Sequence, residues 1–304
     1  GRGGRRAVST AHELRVGLMT GEKAVPLLAA AHTGAFARRG VAVRLTVVTG
    51  AAERDAAFLA GEFDVALMNL VSVLRIHMTT AAMRIMTNLL DGPGEGGMFR
   101  LLAGPAGPPP GGPAEARARP VLAVSRGTIA DFSAFCLLGL LDRDWAEVTV
   151  VDIQDITARG RALVGGAVDW AVLPEPAGSW CLSRGCTVMA TDRTLTPPGP
   201  ALCTAAGERA PEAGAAAAFL AACRDGAAAV AASPGLAREV LTAQGIETDD
   251  RWSPPPYRIG GLPTVADVAA VLEWMASTAP GPAGRSGPTT ADRSAYAIHH
   301  ALVG

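Results

Sequence analysis

A chain of 304 residues that is 49% apolar but only 5% aromatic has the material for two lobes, with cores filled by Ala, Val and Leu rather than by rings. Its 27 basic and 28 acidic residues leave a net charge of -1, which excludes nucleic-acid or membrane-surface binding driven by charge alone. The longest uncharged apolar run, 213–223, is too short to span a bilayer and is followed by Arg224 and Asp225, so no transmembrane helix is expected.

From residue 14 onward, short apolar runs alternate with helical ones, the pattern of βα units on a mostly parallel sheet. "LRVGLM" (14–19) predicts a strand, and 24–40 predicts a helix closed by Gly40. A strand over 41–48, a helix over 51–61 with Glu53 in its first turn, and a buried strand at "DVALMN" (64–69) follow. The stretch 91–120 is dense in Pro and Gly around one short strand, "MFRLLAG" (98–104), and reads as a crossing between lobes. Gly92, Gly94 and Gly97 formally match GxGxxG there. Pro93 interrupts the motif and a strand follows it, so a dinucleotide site is not expected.

The pattern then restarts with strands at 121–125, 147–153 and 168–174, and helices at 128–141, 157–166 and 175–185. A second proline cluster (194–200) precedes a strand at 201–205 and helices over 211–232, 234–244 and 264–277. The expected organisation is a disordered tail over 1–12, a discontinuous first lobe of 13–104 with 194–280, a second lobe of 105–193, and a C-terminal tail of 281–304.

One joint occurs twice, as "GEFDVALMN" (61–69) and "GAVDWAVLP" (166–174). In each, a glycine stops a helix, an aspartate turns the chain, and a buried strand follows. Two lobes using equivalent joints would present the carboxyl ends of those strands to one cleft.

These segments, with "VLAVSRGTIADF", "RALVGGAVDWAVLPEPA" and "PPPYRIGGLPTVADVAAVLEWM", resemble the solute-binding proteins of ABC importers for taurine, alkanesulfonates, nitrate and pyrimidine precursors. The likeness runs in order from about 13 to 278. It implies an α/β fold of the type II periplasmic-binding-protein kind, with two lobes joined by a two-strand hinge around a ligand cleft. It also implies a small polar or anionic organic ligand, an ABC-transporter permease as partner, a monomer, no cofactor or metal, and an extracytoplasmic or lipoprotein location. The start "GRGGRRAVST" reads as a processed or trimmed terminus. An enzyme on the same scaffold, pyrimidine-forming or carbon–sulfur-cleaving, is the alternative, and a ligand sensor is a third reading.

In an open parallel sheet, ligands sit beyond the carboxyl ends of the strands. The candidate ligand-binding residues of the first lobe are therefore Met19, Thr20, Glu22, Lys23, Thr49, Gly50, Asn69, Ser72 and Asn88. In the second lobe they are Ser125, Gly127, Thr128, Ile129 and Glu175. "SRGTIADF" places Ser125, Gly127 and Thr128 at a helix N-terminus, which attracts anions or is simply capped by its own Ser/Thr. Lys23 is the only lysine among the 27 basic residues, and reads as an exposed loop lysine, an anion ligand or a Schiff-base former. The five cysteines lack zinc spacing and read as buried thiols, with a Cys181–Cys186 disulfide as the alternative. His12, His32, His77, His299 and His300 show no metal spacing, and the last two read as solvated.

Overall fold

The alternation folds into two sheets flanked by helices, in a computed structural model that describes residues 13–19, 21–80, 83–90, 98–105, 119–194, 199–250, 252–278 and 288–303. The first lobe opens with β1 (Leu14–Met19), α1 (Val25–His32), α2 (Ala35–Arg38), β2 (Val43–Val48), α3 (Ala51–Ala60), β3 (Val65–Met68), α4 (Leu70–Thr80) and β4 (Met83–Leu90). The second lobe comprises β5 (Phe99–Ala103), β6 (Val121–Val124), α5 (Ile129–Gly139), β7 (Thr149–Asp152), α6 (Ile156–Val164), β8 (Trp170–Pro174), α7 (Ala177–Leu182) and β9 (Thr187–Thr191). The chain returns through β10 (Ala201–Ala205), α8 (Ala213–Ala232), α9 (Gly235–Thr242), β11 (Tyr257–Gly260), α10 (Val265–Thr278) and α11 (Pro288–Val303).

Both sheets follow one wiring rule. The six-stranded sheet has the order β2-β1-β3-β10-β4-β11 and the five-stranded sheet β7-β6-β8-β5-β9. In each, the strand brought in by a crossing runs antiparallel between its neighbours: β10 between β3 and β4, and β5 between β8 and β9. This moves the expected boundary at 104. Phe99–Ala103 pairs with Trp170–Pro174 and so belongs to the second lobe; the Pro/Gly-rich run that suggested a linker flanks the strand on both sides and does not tell which lobe it joins.

The recurring joint is the same object in both lobes. Gly61 and Gly166 adopt left-handed φ of 81° and 72°, where a glycine ends a helix without a Cβ clash. The next N–H reaches back five residues, Glu62 to the Ala57 carbonyl (2.9 Å) and Ala167 to that of Ala162 (2.9 Å). Phe63 and Val168 are then buried, as a Schellman turn favours. Finally, the aspartate carboxylate accepts an N–H at the start of the adjacent parallel strand: Arg15 to Asp64 Oδ2 at 2.9 Å, and Val121 to Asp169 Oδ2 at 2.7 Å. Each aspartate N–H returns the bond to that residue's carbonyl, at 2.8 and 3.0 Å.

Other expectations need correcting. The helix expected over 24–40 is two helices, broken where Gly34 turns left-handed at φ 71°. Neither α4 nor β4 was assigned from the sequence, since "LVSVLRI" fits a helix or a strand equally. The C-terminal segment contains α11, whose Ala295 and Leu302 are buried in the same apolar cluster as Val268 and Val271 of α10. His299, read as solvated, is half-buried with its Nε2 2.8 Å from the Pro263 carbonyl.

Helix α8 is long and apolar enough to cross a membrane, but its Phe219, Ala222, Cys223 and Gly226 are buried in the first lobe. A Cβ at Gly226 would lie 2.1 Å from the Pro26 carbonyl oxygen, so α8 packs backbone to backbone on α1. Phe219 stacks on Phe36 at 5.6 Å, and its full burial contributes about 2–3 kcal/mol. Between the lobes, Phe132 of α5 meets Trp274 of α10 edge to face at 5.5 Å, so the largest apolar cluster continues from one lobe into the other.

Candidate functional site

The carboxyl ends of β1, β3 and β8, with the loop after β6, converge on a cavity between the lobes of about 670 Å³, part of it open to solvent. The first-lobe wall carries Met19, Glu22, Lys23, Arg54 and Asn69, and the second-lobe wall Ser125, Thr128, Ile129, Arg159 and Glu175. Phe99, at the start of the crossing strand β5, lies between them.

Two of the charged side chains on the wall are used internally. Arg54 is buried, with Nε and Nη2 on Asp55 (3.0 and 2.6 Å), Nη2 on Ser72 Oγ (2.9 Å) and Nη1 on the Leu67 carbonyl (3.1 Å). Its fifth donor direction meets Met19 Sδ at 3.3 Å. Glu175 is buried beside Arg100, Oε1 to Nη2 2.6 Å, and its Oε2 accepts the Ser179 N–H.

Three others form no ion pair among the described residues: Glu22, Lys23 and Arg159. Arg159 is 1% exposed; Nη1 donates to the Ile153 carbonyl at 2.7 Å and Nε has no hydrogen-bond partner among the described residues. Burial lowers its guanidinium to about 10, although the Asp155 and Asp152 charges pull the other way. Burial raises the Glu22 carboxyl to about 8; the nearby Glu175 charge adds to this, while Lys23, Trp252 and Arg100 oppose it. Burial likewise lowers the Lys23 amine, although Glu22 and Asp192 pull the other way. The Lys23 ammonium nitrogen lies 4.3 Å above the Phe99 ring.

Asp192 ties the two crossings together. Fully buried, it accepts the N–H groups of Met98 (2.7 Å) and Phe99 (3.0 Å) across the base of the cleft. The rims are also linked. The Glu22 N–H reaches the Glu175 carbonyl at 3.3 Å, and Arg75 joins the Gly127 carbonyl (3.1 Å) to Asp55 (3.0 Å). A second, smaller cavity shares Gly21, Ile156, Pro174 and Glu175 with the first. At its edge the Trp180 indole N–H donates to Glu247 Oε2 at 2.7 Å, with the Arg184 guanidinium 4.0 Å over the indole and 3.5 Å from the same oxygen.

The structure thus gathers Met19, Glu22, Lys23, Asn69, Ser125, Thr128, Ile129 and Glu175 on one cavity. Asn69 Oδ1 caps α4 through the Ser72 N–H (2.9 Å), which leaves its amide nitrogen for the cavity. Thr128 Oγ1 accepts the Ala130 N–H and donates to the Ser125 carbonyl, while the Ser125 hydroxyl meets Gln154 Oε1 at 3.0 Å. The cap of α5 is therefore largely satisfied from within, and Asp131 sits in its first turn.

Five expected residues lie off that wall. Thr49 donates its N–H and hydroxyl to the Glu53 carboxylate, Gly50 faces Gln154, Ser72 is held under Arg54, and Gly127 offers its carbonyl to Arg75. Asn88 is inside β4 rather than in a loop, because β4 runs on to Leu90. Thr20 and the glycines of 91–97 lie outside the described residues, as does His12. All five cysteines are free; Cys181 and Cys186 are not joined, and burial holds the Cys181 thiol at about 12. Sequence reasoning missed Arg54, Arg159 and Asp192. All three lie outside the strand-to-loop positions by which the candidates were chosen, the two arginines within helices and Asp192 just after a strand.

No protein-family model matches the chain, and no curated protein matches it. Solved structures do. The periplasmic aliphatic sulphonate binding protein SsuA from Escherichia coli superposes with a TM-score of 0.69 at 15% identity, over 88% of this chain and 94% of that one. The nitrate-binding protein NrtA from Synechocystis gives 0.61 at 16% identity, over 78% and 67%. A conserved Candida albicans gene product, described as exhibiting the generic periplasmic binding protein structural fold, gives 0.68 at 12% identity, over 94% and 95%. With two like-wired sheets, two crossings and a cavity between the lobes, the chain has the periplasmic-binding-protein fold.

Proposed function

We propose that this chain is the solute-binding component of an ABC importer, acting outside the cytoplasm and capturing a small anionic or polar organic molecule between its lobes. One observation carries the reading: a buried arginine, Arg159, lines the interlobe cavity with no carboxylate in ion-pair contact and no hydrogen-bond partner for its Nε among the described residues, only the more distant charges of Asp155 and Asp152. A buried cation left unpaired is costly, and a bound anion removes that cost. The opposing wall supplies the Asn69 amide and the Glu22–Lys23 pair, so a ligand touching both walls favours the closed arrangement through its differential affinity. The partner that reads the closed form is a transporter permease. The sulphonate- and nitrate-binding neighbours support an anionic ligand without identifying it.

The test is a thermal-shift screen against sulfonates, nitrate, carboxylates, amino acids and pyrimidines. A true ligand at a hundred times its Kd adds about 2.7 kcal/mol of stability. Arg159→Met should weaken the best hit about tenfold to a hundredfold, as loss of a charged hydrogen bond does, with a ligand-free Tm no lower than that of the parent. A hit that shifts both proteins equally would refute this location for the site.

A further inference from the structure

Every basic residue in the chain but one is an arginine, and the single lysine lies on the wall of the interlobe cavity. Arginine provides a permanent planar cation; lysine alone provides an amine that can lose its proton and act as a nucleophile. We propose that the cavity accepts a small oxo-acid, and that Lys23 holds it as a reversible imine while Arg159 takes its carboxylate. This rests on the cavity being the ligand site.

Three features of the site agree with that chemistry. First, the Lys23 nitrogen makes no ion pair with a carboxylate among the described residues and lies 4.3 Å over the Phe99 ring, where burial lowers its amine below the usual lysine range. Asp192, whose charge acts on the amine from outside its own segment, accepts the Met98 and Phe99 N–H groups, and the Arg54 charge on α3 opposes the charged form of the amine. Second, Glu22 on the same wall is buried and held protonated near neutrality, as the dehydration step requires of a proton donor. Third, Arg159 lines the same cavity from the second lobe, with its Nε without a hydrogen-bond partner among the described residues.

The step balances without an oxidant. The amine lone pair adds to the carbonyl carbon. The resulting carbinolamine hydroxyl then leaves as water, taking a proton from Glu22, and the nitrogen returns a proton to the Glu22 carboxylate. One carbonyl and one amine become one imine and one water.

Having only one lysine makes the test clean. The protein is incubated with pyruvate or glyoxylate and sodium cyanoborohydride, which reduces an imine to a stable secondary amine, and the adduct is located by peptide mapping. Trapping at Lys23 of the folded chain should outpace trapping at the same lysine of the urea-unfolded chain, since each unit by which an amine's pKa falls makes roughly tenfold more of it neutral. Lactate, which has the carboxylate but no carbonyl, should raise the Tm of the parent, compete with trapping and form no adduct. Equal trapping in folded and unfolded chains would overturn the imine. Stabilisation by other anions but not by pyruvate or lactate would overturn the oxo-acid and leave the ligand site standing. No stabilisation by any anion, together with no adduct, would remove both.

Discussion

The two lobes are alike at the amino ends of their strands and unlike at the carboxyl ends. At the amino ends, Asp64 and Asp169 make the same pair of backbone bonds to a residue at the start of the adjacent strand, after the same left-handed glycine. At the carboxyl ends, one wall presents Glu22 and Lys23 and the other presents Arg159. The scaffold is repeated and the chemistry is not. Even the joints differ in one respect: Arg15 also grips Asp64 through Nε and Nη2 (3.0 and 2.6 Å), whereas the corresponding residue beside Asp169 is Val121.

That difference separates the backbone bond from the ion pair. Asp169→Ala should cost about 1–3 kcal/mol in urea unfolding, because the Val121 N–H loses its partner. Asp64→Ala should cost as much or slightly more, while Arg15→Ala, at a half-exposed pair, should cost under about 1 kcal/mol. If Arg15→Ala matched Asp64→Ala and Asp169→Ala were silent, the shared joint would be incidental to stability.

The unlike ends can be read by pH. A carboxyl that titrates at about 8 when folded and at about 4.3 when unfolded keeps a proton the unfolded chain has lost, so stability falls as pH rises between those values. Glu22→Gln removes that slope, and its Tm advantage over the parent should grow from pH 5 to 8, at about 2 °C per kcal/mol. Lys23 acts in the opposite direction: its lowered amine makes stability rise with pH from its folded value up to about 10.4. A flat difference between Glu22→Gln and the parent would mean that Glu22 is ionised in the folded chain.

The smallest effect is expected at the rim. Trp180 and Arg184 of the second lobe hold Glu247 of the first at an exposed edge, and Glu247→Ala should cost about 0.2–1 kcal/mol of closure. Small-angle scattering of the ligand-free protein should then show a larger radius of gyration. An unchanged curve would mean that this contact does not hold the lobes together.

Much of this architecture was legible in the sequence. Glycine-terminated helices and short apolar strands located β1, β3, β6, β8 and β10, and the repeated joint disclosed the two-lobe plan before any contact was known. Glu22, Lys23, Asn69 and Glu175 followed from the rule that ligands lie beyond strand carboxyl ends. What could not be read was orientation. Arg159 in "TARGRAL" has the spacing of a solvated charge, and only the packing of α6 turns it inward. Asn88 looked like a loop residue because β4 continues two residues past it. The boundary at 104 failed because a Pro/Gly-rich run marks irregular backbone without saying which side of it a strand will join.

The exchanged strands also bear on how the chain folds during synthesis. Strands β5 to β9 are consecutive, so the five-stranded sheet can be assembled as soon as Thr191 has left the ribosome. The six-stranded sheet cannot: β3 keeps an open edge until Ala201–Ala205 emerges, after the entire intervening lobe has been made. Domains made first generally fold first; here the later-born half is the earlier one able to finish, and the nascent amino-terminal half must wait with an unpaired strand exposed.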